Sequence, residues 1–193
     1  MGTAADRNRS SMQKLKELII YISGKFESEP AAGDTKLNKI LFFSDYVAFG
    51  KFGETITGEN YTKQEFGPVC QRLLIARKEM IPKDVVVIRR PTIDGLQTRT
   101  IPKREANLTI FDGEQIAIVD EICELFRRDD AKTISEFSHK FQGWRKTRTG
   151  DVIPMETFFL PAEQRSEVSD HELAVLKELE KTYGRHPASG EAS

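Results

Sequence analysis

The stretch DTKLNKILFFSDYVAFG, residues 34–50, decides how this chain folds. Leu37, Ile40, Leu41, Phe43, Tyr46 and Val47 recur at helical spacing and occupy more than one face of that helix. A helix that is apolar on several faces needs cover from two sides, so this one is expected at the centre of the domain. Asp34 or Thr35 is placed to cap its start and Gly50 to end it. Upstream, Leu15, Leu18, Ile19, Ile22 and Phe26 form a second helical stripe from Met12, near whose end lies Gly24 and which EPAAGD breaks. Residues 1–11 are small and polar, and read as a disordered leader.

Downstream, Gly53 to Gly67 carries too much apolar surface for a linker, with Tyr61 and Phe66 among it, and reads as an ordered loop. Gly67-Pro68 predicts a helix start, because the missing proline N–H would be unpaired there anyway. That helix would present Val69, Leu73 and Ala76 and end near Met80. Val85–Ile88 and Gln97–Ile101, with Asp94-Gly95 between them, predict a β-hairpin. Asp112 with Gln115 predicts a capped helix over 112–127, striped by Ile116, Val119, Cys123 and Phe126. Thr133 with Glu136 predicts another through about Trp144, and Ser169 with Glu172 a last one carrying Leu173, Leu176, Leu179 and Tyr183. The expected fold is α+β: a mainly helical single domain over residues 12–165 with a small antiparallel β-hairpin or sheet. A C-terminal helix at 166–184 and a flexible tail at 185–193 are expected to follow.

Composition narrows the function classes. In 193 residues, 29 Lys and Arg balance 30 Asp and Glu, so no global charge draws the chain to nucleic acid or to an anionic membrane. Charge is nevertheless zoned: residues 137–150 hold four basic side chains (Lys140, Arg145, Lys146 and Arg148) and no acidic one. Such zones mark partner-facing patches or incidental clustering on a solvated surface. The N-terminus has no apolar core of a secretory signal, no run is long enough to span a bilayer, and a cytoplasmic protein without a membrane partner is expected. Cys70 and Cys123 lie on apolar-periodic segments without CxxC spacing and read as buried thiols in a reducing compartment.

Signals for chemistry are weak. His139, His171 and His186 share no ligand spacing with each other or with a cysteine, so no metal is expected, and no cofactor either. The glycines at 50, 53 and 58 lack the Lys-Ser/Thr of a phosphate loop. A small Cys/His enzyme would use Cys70 near a helix start with His139 as its base, but Cys70 sits in an inward-facing stripe and no third group is indicated. A DNA-binding autoregulator would use Arg89, Arg90, Arg99, Lys103 and Arg104 around the hairpin and the basic stretch from Arg145 to Arg148 after a helix. Against it stand a pI near 6.3 and the lack of a helix-turn-helix signature.

The words TKLNKILFFSDY (35–46), GETITG (53–58), Tyr61 and FGPV (66–69) resemble the SocA-like antitoxin family. That family is also called the Panacea domain, and some members are labelled phage-associated GepA-like proteins. Its pattern has Lys-Leu-x-Lys-Leu-Leu-Tyr-Phe-x-Asp, then Ile-Thr-Gly, an aromatic and a Tyr-Gly-Pro-Val turn, where this chain has Phe66 for the tyrosine. SEFSH (135–139) followed by Trp144 is similar to its later Leu-Ser-x-x-Ser-His…Trp element, with Ile134 for the leucine. The resemblance spans roughly 12–160; the hairpin region and the C-terminal helix lie outside its pattern. It implies a bacterial antitoxin of a toxin-antitoxin system, not an enzyme, that binds a toxin encoded by the adjacent gene. One branch of the family implies a further partner, a AAA+ protease to which the toxin is delivered. The residues that inherit the motif are Lys36, Leu37, Lys39, Phe43, Asp45, Gly58, Tyr61, Gly67, Pro68, His139 and Trp144, none with a catalytic role in the family. Leu37, Phe43 and Trp144 read first as core, and Gly58 as a positive-φ position. Asp45, a carboxylate on an apolar helix, wants a partner: Lys36, Lys39 or a basic side chain from the 140s. His139 either hydrogen-bonds in the core or joins that cluster.

Overall fold

A computed structural model describes residues 3–30, 32–92 and 95–159. The C-terminal helix and tail expected beyond 165 lie outside the described residues. The first helix, α1 (Ala4–Lys25), begins well before its apolar stripe, so the expected leader is helical from Ala4. Two things extend it. Thr3 and Asp6 form a capping box, with the Thr3 amide donating to Asp6 Oδ2 at 3.1 Å and the Asp6 amide to Thr3 Oγ1 at 3.2 Å. Farther along, Asn8 and Ser11 accept hydrogen bonds from Arg72, which ties the polar turns to the body. From Leu15 onward the expected stripe is buried.

The second helix, α2 (Asp34–Phe52), is the central element, buried continuously from Lys36 to Ala48. Its N-cap is Gly33 rather than Asp34 or Thr35. Asp34 instead receives a two-pronged bond from Arg77, at 2.7 and 2.8 Å. Its C-cap is Gly53, left-handed at φ 76°, whose amide donates to Phe49 O at 2.8 Å. Phe43 packs its ring 4.9 to 5.4 Å from those of Phe141, Phe126 and Phe137, which joins α2 to the C-terminal half of the domain.

A short hairpin follows, β1 (Tyr61–Gln64) and β2 (Gly67–Cys70), antiparallel with Lys63 opposite Pro68. The helix start expected at Gly67-Pro68 is therefore a strand, and the helix α3 (Leu73–Met80) begins later. Proline is tolerated there for a specific reason. The Cys70 amide donates to Asn38 Oδ1 at 2.9 Å and not to the ladder, so Tyr61–Cys70 is a non-hydrogen-bonded pair. Alternation along an antiparallel ladder makes Lys63–Pro68 another such pair, where the absent N–H would have pointed outward. The far edge of β1 is closed by residues 150–153: Lys63 N donates to Asp151 O at 3.0 Å and Ile153 N to Tyr61 O at 2.8 Å.

The hairpin expected from Asp94-Gly95 is present as β3 (Val85–Thr92) and β4 (Gly95–Pro102), although residues 93 and 94 are not described. Pro91 and Pro102 both fall at non-hydrogen-bonded positions, as the bond from Lys103 N to Asp84 O at 2.8 Å sets the phase. Next comes α4 (Gly113–Leu125), with Gln115 Oε1 accepting from the Asp112 amide at 3.3 Å as its capping box requires. The helix expected from Thr133 to Trp144 is two, α5 (Ala131–Ser138) and α6 (Gln142–Lys146). Its cap is Asp130, whose carboxylate accepts from the Thr133 amide at 2.8 Å. The described residues thus form a mainly helical α+β fold with two separate two-stranded antiparallel sheets.

Candidate functional site

Asp45 lies near the middle of α2 and is fully buried. Its partner is neither a lysine nor a basic side chain from the 140s. One carboxylate oxygen accepts from the Thr57 amide at 2.9 Å; the other accepts from the Thr57 hydroxyl and from Tyr61 OH at 2.7 Å. The Ile-Thr-Gly word and the aromatic after it are thus two ends of one knot around Asp45. Gly58 completes the turn at φ 71°, its amide donating to Thr55 Oγ1 at 2.9 Å. Burial raises the Asp45 carboxyl to about 6, outweighing the hydrogen bonds from Thr57 and Tyr61 that favour its charged form. Tyr61 is pushed well above its ordinary value, first by burial and then by Asp45.

Six residues along, Lys39 reaches the other strand of the same hairpin. Its Nζ donates to Pro68 O at 3.3 Å, and burial lowers its pKa to about 7. Gly67, at φ 98°, is pressed against it: a Cβ there would stand 2.4 Å from Lys39 Cε and 2.3 Å from Ser138 Oγ. Only glycine fits that position, for both conformation and space. Ser138 ends α5, its hydroxyl donating to Ser135 O at 2.7 Å, and His139 follows as the C-cap. The His139 ring stacks on Trp144 at 4.0 Å, and Lys63 Nζ lies 3.9 Å from the same indole. Two groups cannot share one face at those distances, so the indole is covered on both. Burial lowers the His139 pKa, with Lys39 adding to the effect. His139 Nε2, Trp144 Nε1 and Gln142 Oε1 are buried without a hydrogen-bond partner among the described residues.

The motif therefore separates into groups. Asp45, Gly58 and Tyr61 anchor β1; Lys39, Gly67 and Pro68 meet at β2; and His139 stacks on Trp144, which meets Lys63 of β1. Lys36, Leu37 and Phe43 do other work. Lys36 donates to Arg127 O and Asp129 O at 3.0 Å each, closing the chain after α4, while Leu37 and Phe43 are core. His139 does not join Asp45, and Trp144 lies at the edge of the core rather than inside it. Sequence reasoning passed over Asn38, which accepts from the Cys70 amide, Thr57, which bonds Asp45, and Ser138, whose Oγ stands where a Gly67 side chain would go. All three lie inside or beside the recognised words. It also missed Arg72, which binds buried Glu59, and no local signal marks that residue.

Other chemistry finds little support. Cys70 lies on β2, not at a helix start, and burial pushes its thiol up to about 12, as it does for Cys123. Among the described residues no group of three or more His, Cys, Asp or Glu could hold a metal ion, and no helix is long and apolar enough to cross a membrane. Much of the basic character around β3–β4 is internal. Arg99 donates to Phe26 O, Glu27 O and Ala32 O at 3.0 to 3.2 Å, and Arg104 bridges Glu17 and Asp84 at 2.7 Å. Lys103 donates to Pro82 O at 2.8 Å.

Compared with known proteins, residues 37–145 match the family model described as antitoxin SocA-like, Panacea domain. The matched span contains every motif residue named above except Lys36. No curated protein and no solved structure matches the chain.

Proposed function

This chain belongs to the SocA-like antitoxin family with its Panacea domain, and from that premise we propose that it neutralises a protein toxin by binding it directly, in the cytoplasm and without catalysis. The family match over residues 37–145 carries the reading. Two features of the interior support contact rather than chemistry. Most of the motif side chains are committed to internal packing and hydrogen bonds, and the buried thiols stay protonated at neutral pH. A binding surface would have to come from other residues, and candidates lie at 51–66, 85–102 and in the expected last helix. Within the first two, Phe66 and Leu96 are exposed at 65% and 64%.

The test is a growth assay with the open reading frame beside this gene. Induction of the neighbour alone is expected to arrest growth, co-expression to rescue it, and a pull-down to recover the pair. Rescue should persist in a host lacking AAA+ proteases. Rescue lost there would move the mechanism to delivery of the toxin for proteolysis. A harmless neighbour, or toxicity that co-expression leaves untouched, would overturn the antitoxin reading.

A further inference from the structure

We propose that the hollow between the end of α1, the start of α2 and strand β4 is a binding site for one small monovalent anion of the size of chloride. The inference does not depend on the antitoxin reading.

Ser23 and Phe26 stand on the α1 side of the hollow, Asp34 and Lys36 on its α2 side, and Arg99 and Thr100 on β4. Charge there is unbalanced. Arg99 is buried, and its Nε and Nη2 donate to three carbonyl oxygens, those of Ala32, Phe26 and Glu27. Among the described residues its Nη1 makes no hydrogen bond and its guanidinium no salt bridge; the Glu27 side chain is exposed. Carbonyl groups satisfy donors without supplying the negative charge that a buried cation lacks. Lys36, also buried, is a second cation, held by Arg127 O and Asp129 O at 3.0 Å and by Glu29 Oε2 at 3.4 Å. The acid on these walls, Asp34, is already taken by Arg77 at 2.7 and 2.8 Å.

The start of α2 adds to the same sign. Gly33 caps this 19-residue helix without a side chain, so no cap oxygen meets its first amides. Those amides and the helix dipole favour an anion. A helix start alone would not make a site. Thr100 supplies an independent mark: it lines the hollow, is 6% exposed, and its buried hydroxyl has no hydrogen-bond partner. An unpaired buried hydroxyl costs stability, so its donor calls for an acceptor. Water would satisfy Thr100 and leave Arg99 without a counter-ion, whereas a halide meets both needs. Space sets the size, because the hollow takes about one or two water-sized groups at its centre. That excludes phosphates and nucleotides. An anion held there ties β4, the inner strand of the second hairpin, to the start of the central helix.

The experiment uses the full chain at fixed ionic strength, with gluconate, too large for the hollow, exchanged stepwise for chloride or bromide. The wild-type thermal midpoint is expected to rise with halide and to saturate. Thr100→Val keeps the outline of the side chain and removes the orphaned hydroxyl. It should melt in gluconate at or above the wild-type midpoint and lose most of the halide-dependent rise. Crystals soaked in bromide should show an anomalous peak between Arg99, Thr100 and the first turn of α2, a readout that needs no variant. A wild-type midpoint indifferent to halide would overturn the proposal. So would an equal rise in Thr100→Val, or bromide found only on the outer surface.

Discussion

Replacing Asp45 with asparagine separates two opposing forces on one buried carboxyl. The hydrogen bonds from Thr57 and Tyr61 favour the charged form and by themselves would hold the carboxyl below its ordinary value. Complete burial favours the neutral form, and in this structure it prevails, raising the group from 3.8 to about 6. At about 1.4 kcal/mol for each tenfold change in acidity, that difference amounts to about 3 kcal/mol. The sign follows from which state holds more protons. Between pH 3.8 and about 6 the folded chain keeps the Asp45 proton while the unfolded chain has lost it, so this contribution to stability is full below 3.8 and is lost as pH rises through about 6. Other carboxyls act oppositely: Glu17, Asp6 and Asp130 are held below their ordinary values. The whole-protein profile is therefore ambiguous and the difference between two proteins is not. Urea denaturation of wild type and Asp45→Asn at half-unit steps from pH 3.5 to 7 should show the wild type losing about 3 kcal/mol relative to the variant across that window. A flat difference would mean that Asp45 titrates as an ordinary carboxyl. A difference that grows in favour of the wild type as pH rises would mean that the hydrogen bonds prevail, and the reasoning would be refuted.

Lys39→Met gives the complementary test: Lys39, lowered to about 7, contributes stability that is full above its ordinary 10.5 and lost as pH falls through about 7, so wild type should gain about 4 kcal/mol on the variant between pH 7 and 10 in the same assay. Gly67→Ala should cost about 3 kcal/mol or more by urea midpoint, because the new methyl group meets Ser138 and Lys39, whereas Gly53→Ala, also at positive φ but with nothing within 4 Å, should cost about 1 kcal/mol. Trp144 is the single tryptophan, so its fluorescence reports on the His139 stack; the pH transition should have its midpoint below 6.5 and vanish in His139→Gln.

Where the sequence was legible, a local signal and the tertiary fold pointed the same way. Apolar residues on several faces of 37–47 put α2 at the centre; Asp94-Gly95 between β-branched runs marked β3–β4; Asp112 with Gln115 marked α4. Where it was not, a distant contact overruled a local preference. Gly-Pro reads as a helix start, yet Asn38 on α2 takes the Cys70 amide and fixes a strand. Residues 4–11 have no apolar pattern, and they are held as helix by Arg72 and Glu59, far along the chain. At α5 the choice between Asp130 and Thr133 as cap rested on two equally good residue types, and the earlier one took the bond. The motif words located the candidate site, but the partner of Asp45 was misjudged because charge pairing was expected where hydroxyl and amide donors sufficed.

That last error bears on what the motif encodes. A residue that meets a partner protein must be reachable, and of the motif side chains Lys36, Leu37, Lys39, Phe43, Asp45 and Tyr61 are all buried. They specify the platform and leave contact with a partner to residues outside the motif. It also follows that loss of neutralisation in a variant of the platform says nothing about contact until its stability is known. Asp45→Asn and Gly67→Ala should impair rescue only as far as they depopulate the folded state, and rescue should return on cooling or at higher expression. A variant at an exposed candidate contact such as Phe66 should not respond to either remedy, because its fold is intact and its contact is gone. Growth rescue measured against temperature, for these three variants side by side, separates the residues that build the surface from the residue that uses it.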